Sequence, residues 1–208
     1  MNAGFSSLGK LKAQLIAASM QGNNSYDDKV LAVGLGVAKQ FECLSNRLFD
    51  WRENDTAIFS ADRTHYYLPR FPFTTISRIE IRNATSNNQW QDLGAPSQVI
   101  INQLEETGYI FFGGMRGPSS SFLRVTYTGG FWWDTSEDDT GEQPDGSATL
   151  PEDFLLAWHL QCREIWRKID VIGQTISDSP DSAPVENGMK ILPIVRDLID
   201  GMIRYQLT

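Results

Sequence analysis

The residues of this chain with the chemistry for catalysis or ligation are few and scattered. Only two histidines, His65 and His159, are present, which leaves a histidine-based triad short of candidates. His159 and Cys162 stand three residues apart, near one face of a helix, as two zinc ligands would. Such a site needs two more ligands, and no paired cysteine or histidine supplies them, so the expectation is a satisfied histidine beside a core thiol. No GxSxG elbow, phosphate loop or strand-following GxGxxG occurs; Gly34-Leu35-Gly36 lies inside a helical pattern and reads as a small-residue patch for close helix packing. Between Asp134 and Gly146 stand Asp134, Glu137, Asp138, Asp139, Glu142 and Asp145, without a lysine or arginine and without the spacing of an EF-hand loop. That segment is expected to be a solvated, adaptable loop. Phe131, Trp132 and Trp133 have the flat faces that stack on a sugar or a base, but no basic groove accompanies them, and anchoring in a core or a subunit contact is the expected use. The sequence therefore predicts no enzyme, no metal and no cofactor.

Composition narrows the class. The chain has 208 residues, 41% hydrophobic and 11% aromatic, enough to bury a core of its own. No apolar run of about 18 residues is present, and the N-terminal stretch carries lysines in place of an apolar signal core, so a soluble chain with no membrane partner is expected. A formal charge of −8 opposes sequence-independent gripping of DNA, which depends on lysine and arginine displacing counterions from phosphates. An acidic wall nevertheless suits a channel through which DNA slides. The two cysteines, Cys43 and Cys162, fall on apolar sides of helical patterns and are expected to be buried free thiols.

The elements that position these residues follow from periodicity. Leu8, Leu11, Leu15 and Ala18 form a short helical stripe that needs a partner. Ser25, with Asp28 three residues on, predicts a capped start for a helix reaching about Phe49, with Tyr26, Val30, Val33, Val37, Phe41, Leu44 and Leu48 on one face. From about 56 to 130 the period becomes two, with candidate strands at Ala57–Phe59, His65–Leu68, Ile79–Ile81, Val99–Ile101, Tyr109–Phe112 and Leu123–Tyr127. The Gly113–Pro118 turn, with Met115 and Arg116 at its tip, is expected to be an adaptable contact loop. Helical period returns from Pro151 to about 170, with Phe154, Trp158, Cys162, Ile165 and Ile169 on one face, Leu155 and Trp166 widening it, and Thr149 or Leu150 as the cap. Residues 173–190 are rich in Ser, Asp, Pro and Gly and read as a linker. A last amphipathic pattern carries Ile191, Ile194 or Val195, Leu198, Met202 and Tyr205; a short helix on a long tether gains little by folding alone, so its stripe is expected to dock on another chain, the alternative being that it folds back onto its own domain as a core element. The fold class is α+β: a helical core built on helices near 25–49 and 151–170, an inserted antiparallel β module, and a C-terminal helix on a linker. The domain division places one domain at 1–172 and a linker with docking helix at 173–208.

Three patches resemble the head-tail connector, or adaptor, family of tailed bacteriophages. They are Leu68-Pro69-Arg70-Phe71-Pro72-Phe73 running into the strand at Ile79, Val125-Thr126-Tyr127-Thr128-Gly129-Gly130 leading through a variable loop to Leu150-Pro151-Glu152-Asp153, and Leu192-Pro193-Ile194-Val195-Arg196-Asp197-Leu198-Ile199. The resemblance implies a virion structural protein of the neck, assembled in the host cytoplasm. It implies a homo-oligomeric ring of neighbouring copies, dodecameric in such proteins, that sits below the portal protein and passes DNA through its lumen without sequence-specific binding. It names the portal protein as the partner of Ile194, Val195, Leu198, Met202 and Tyr205. Phe131, Trp132, Trp133, Met115 and Arg116 would then face a neighbouring subunit or the next ring, a head-closure or tail protein. A neighbouring neck or tail-completion protein (head closure or tail terminator) has the same composition, and a carbohydrate-binding module is the rival reading of the aromatic triplet.

Overall fold

The structure is a computed structural model that describes residues 2–17, 21–83, 89–113, 120–138, 140–175 and 190–202, with backbone alone over 170–175. It confirms the α+β class. The chain divides into two compact units, a helical one formed by residues up to Asn46, Trp133–Gln143 and Leu150 onward, and a β unit formed by Arg47–Trp132 and Pro144–Thr149.

In the helical unit, α1 (Leu8–Leu15) starts at Ser7, whose side chain accepts from the Lys10 N–H, and buries Leu8 and Leu11. Its Lys12 is buried as well, donating to Asp27 Oδ1 at 2.5 Å and to the Asn23 carbonyl, which ties α1 to the first turn of the next helix. That helix, α2, spans Asp27–Ser45. Ser25 is not its cap: Asn23 caps a short 3-10 turn over Asn24–Tyr26, and α2 follows directly from it. The apolar face holds at Val30, Val33, Val37 and Phe41 but ends there, because Asn46 adopts a left-handed conformation (φ 52°) that stops the helix short of Phe49. Leu44, still within α2, is exposed. Cys43 is exposed too, contrary to expectation, since it lies two residues from both Phe41 and Ser45 and so on the face opposite the buried stripe.

Helix α4 (Glu152–Thr175) begins where the Pro151 carbonyl accepts from Phe154 and Leu155, so neither Thr149 nor Leu150 is the first acceptor. It buries Phe154, Ala157, Trp158, Cys162 and Ile165, while Ile169 turns outward at 40% exposure. The helix continues through the first residues of the expected linker, 173–175; the rest of that linker to 189 lies outside the described residues. The last helix, α5 (Pro193–Asp200), packs on α4 and α2 through Val195 and Ile199. Buried Gln161 fixes its approach, accepting from Leu192 N–H at 3.0 Å and donating to the Lys190 carbonyl.

The β unit contains a four-stranded antiparallel sheet in the order β1 (Arg52–Ser60), β7 (Ser121–Gly129), β3 (Phe73–Asn83) and β4 (Gln91–Asp92). A second sheet has the order β2 (His65–Tyr67), β6 (Tyr109–Phe112) and β5 (Ile100–Leu104). The expected strand at Val99–Ile101 begins one residue late, because Pro96–Val99 forms a single helical turn, α3, for which proline at a first helical position is well suited. A parallel pair that periodicity did not reveal joins β8 (Phe131–Trp132) to β9 (Ala148–Thr149). The inward residues of β7, Leu123, Val125 and Tyr127, meet Ile79, Leu68, Ile110 and Phe112 in one core.

Candidate interaction surfaces and buried polar hubs

The glycine exit from β7 is a packing requirement. Gly130 has φ +105°, its N–H donates to the Pro72 carbonyl at 2.8 Å, and a Cβ there would meet the Asp50 carbonyl oxygen at 2.4 Å. Only glycine allows the chain to turn so close to other backbone. The Leu68–Phe73 patch is likewise held together by a buried cation. Arg70 bonds Asp50 Oδ1 at 2.9 Å and Asp55, and donates through Nε to the Asp50 carbonyl, while its backbone N–H donates to the Tyr127 hydroxyl at 3.1 Å. Burial pushes the Tyr127 phenol up to about 12. Arg47, also buried, places its guanidinium 3.5 Å from the Phe71 ring centroid and 4.8 Å from that of Phe49, and donates to the Phe71 carbonyl. Sequence reading missed both arginines. The one visible signal is at Arg70, which stands among prolines and phenylalanines just ahead of a strand; Arg47 has only the nearby Phe49 and Trp51.

Of the aromatic triplet, Phe131 is buried in the β unit, stacked on Phe49 with centroids 6.4 Å apart, and its N–H and carbonyl are bonded to Phe49 and Trp51. Its ring is packed within its own unit, as part of a paired strand. Trp132 is half-buried at the end of the β unit, and Trp133, the first residue back in the helical unit, lies edge-on to Phe5 at 5.2 Å. The three rings thus serve separate surroundings and form no common stacking platform. Met115 and Arg116 lie outside the described residues.

The carboxylate loop is more ordered by hydrogen bonds than its composition predicts. Glu137 accepts from Ser7 Oγ at 3.1 Å and from Gly9 N–H at 3.3 Å, placing a negative charge at the positive end of α1. Asp134 accepts from Ser136 through both its hydroxyl and its N–H, and from Gly141, which holds its carboxyl below the ordinary aspartate value, the Ser136 hydroxyl being the largest cause. Thr140 lowers Asp138 in the same way. Among the described residues no three His, Cys, Asp or Glu side chains gather to hold a metal. His159 is half-buried and its Nε2 lacks a hydrogen-bond partner, so it is not the satisfied histidine expected; burial lowers its pKa, and burial raises that of the Cys162 thiol. No described helix is long and apolar enough to cross a membrane.

The expected small-residue patch is real at Gly34 and absent at Gly36. The backbone of Ala3 and Gly4 crosses α2 so closely that a Cβ on Gly34 would lie 2.1 Å from the Ala3 carbonyl oxygen, and Trp158 Nε1 donates to the Gly34 carbonyl at 3.2 Å. Nothing lies within 4 Å of a Cβ placed on Gly36.

In the stripe expected to dock, Val195 is wholly buried in its own unit, on the side that α5 turns toward α4. Ile194 is 59% exposed, and Leu198 and Met202 are half-buried beside it. Tyr205 lies outside the described residues.

No family model and no curated protein matches the chain. Its fold is that of chains in solved gene transfer agent (GTA) particles. A chain in the virion of the native particle aligns over 97% of this chain and 90% of its own length, with a TM-score of 0.60 and 14% identity. A chain from the neck of the empty particle computed with C6 symmetry gives 0.59 and 13% over the same shares. One from the neck of the native particle computed with C12 symmetry gives 0.51 and 14%, again over 97% and 90%. At these identities the likeness is one of fold.

Proposed function

We propose that this chain is a structural protein of a virion neck, a head-tail connector that forms a homo-oligomeric ring below the portal protein and extends the DNA channel toward the tail. The observation that carries the reading is the end-to-end likeness in fold to chains of gene transfer agent particles, two of them from necks. The order of the Leu68–Phe73, Val125–Gly130 and Leu192–Ile199 patches agrees with it. In this reading residues 1–172 are the ring-forming body and 173–208 carry the docking helix. The portal protein contacts the outward side of α5 at Ile194, Leu198 and Met202, and Trp132 and Trp133 border contacts with a neighbouring copy or the next ring. A net charge of −8 lets DNA pass the lumen without being held. The test is attachment of purified protein to portal-bearing heads. Wild-type protein is expected to bind, and Ile194→Asp, at an exposed position, is expected to fold normally and lose binding. Undiminished binding by that variant refutes the α5 contact, and failure of the wild type to bind refutes the connector reading.

A further inference from the structure

The sheet edges of this protein are not equally guarded. β1, an edge of the larger sheet, begins Arg52-Glu53-Asn54-Asp55, has a register break between Arg52 and Asp55, and places Asn54 at φ 51°. Charge and an irregularity of that kind are the ordinary protection of an edge against added strands. The other end of that sheet, β4, has only two residues, and β2, at one edge of the smaller sheet, has three. β5 is the exception. It is an edge strand of five residues, Ile100-Ile101-Asn102-Gln103-Leu104, without a charged side chain, and Ile101 is 68% and Leu104 54% exposed. One side of it pairs with β6; no strand among the described residues occupies the other. A groove of about 630 Å³ runs beside it, bordered by Thr75, Ile76, Pro96 and Asn102. An added strand would lie about 4.8 Å from β5, on the side where this groove opens.

The chain itself supplies a matching segment. Residues 203–208 read Ile203-Arg204-Tyr205-Gln206-Leu207-Thr208, strict apolar-polar alternation with Ile, Tyr and Thr, the residue types that favour strands. This departs from the helical period of α5, which ends at Asp200. Arg204 is the only charge in the segment, and Glu105 and Glu106, both exposed, follow β5 directly. Antiparallel addition brings Arg204 to these two carboxylates, because the start of the segment then lies at the end of β5.

We propose that residues 203–208 of one copy add as an antiparallel strand to the free edge of β5 in the neighbouring copy. This rests on the ring reading above. An edge on one copy and a strand on the next make a head-to-tail contact, and repetition of such a contact about an axis closes a ring.

The experiment uses the full-length chain at low and high concentration, a chain ending at Met202, and the edge variant Ile101→Lys, whose site is exposed enough to accept the lysine. Amide exchange over Ile100–Leu104 is expected to slow by about tenfold or more at high concentration in the full-length chain only. In a Cys43→Ser background, mixing Arg204→Cys with Glu105→Cys protein is expected to give a mixed disulfide dimer, which Ile101→Lys added to the Glu105→Cys partner suppresses. Tail-dependent protection that persists at every dilution without a mixed disulfide means that the segment pairs within its own copy and overturns the proposal. Exchange at β5 that is the same with and without residues 203–208 overturns it as well. Loss of the strand contact with heads still bound leaves the connector reading standing, whereas failure to bind heads with the strand contact intact removes that reading alone.

Discussion

Alanine placed at Gly34 and at Gly36, one at a time, is expected to move stability in opposite directions. The two glycines lie two positions apart in α2, with Leu35 between them, and each costs the helix about 1 kcal/mol relative to alanine by propensity. At Gly36 nothing lies within 4 Å of the added methyl, so Gly36→Ala gains that amount, or somewhat less. At Gly34 the methyl would stand 2.1 Å from the Ala3 carbonyl oxygen and 2.7 Å from a Leu11 methyl, and both Ala3 and Leu11 are fully buried. Backbone cannot move aside as a flexible side chain would, so the N-terminal segment must lift, disturbing the Phe5 ring that packs edge-on against Phe154 and Trp158. Overpacking of this kind costs about 1 to 3 kcal/mol, and with the Trp158 bond to the Gly34 carbonyl strained the upper part of that range is expected. The propensity gain is common to both changes, so the variants differ by the overpacking cost of about 2 to 3 kcal/mol; at roughly 2 to 4 °C per kcal/mol for a chain of this length, their Tm values should differ by about 4 to 12 °C. Urea unfolding followed by tryptophan fluorescence, with thermal melts alongside, measures the difference. If both variants are stabilised, the N-terminal segment does not cross α2 at Gly34 and the account of this core is wrong.

Phe41→Ala and Trp158→Ala remove rings that are wholly buried in the helical unit, and each should cost about 3 to 5 kcal/mol in denaturant unfolding. Arg70→Met leaves Asp50 and Asp55 without their buried partner and should cost about 3 to 5 kcal/mol, with the double exchange Arg70→Met, Asp55→Leu recovering part of it. Tyr127 has a folded-state pKa raised to about 12 from 10, so its contribution is complete below the unfolded value and is lost as pH climbs between the two; burial raises Tyr66 as well, and ultraviolet titration should lose its latest-titrating component in Tyr127→Phe. A thiol reagent should modify exposed Cys43 in the native protein and reach Cys162 only on unfolding, and fast reaction of both would contradict the packing of α4.

The α+β class, the inserted β module and the helical stripes of α2 and α4 were legible because burial repeats with the period of each element. What escaped depended on single contacts with no periodicity. Asn46 ends α2 through one left-handed residue, Pro96 turns the start of a strand into a helical turn, and β8 with β9 is a two-residue pair too short to alternate. Gln161 occupies a stripe position that apolar counting cannot interpret, yet it sets where α5 lands. The carboxylate loop misled by composition: its charge suggested solvation alone, whereas Glu137 bonds the start of α1. Among the expected contact residues, exposure of Ile194 agreed with the amphipathic pattern, while Val195 and Phe131 are buried within their own units, which periodicity alone did not reveal.

The most direct measurement of the central claim is electron microscopy of particle necks in which this chain carries a gold or antibody label. The connector reading predicts label in a closed ring immediately below the portal, one copy per repeat about the channel axis. Label on the capsid surface, along the tail tube or absent from the particle contradicts it.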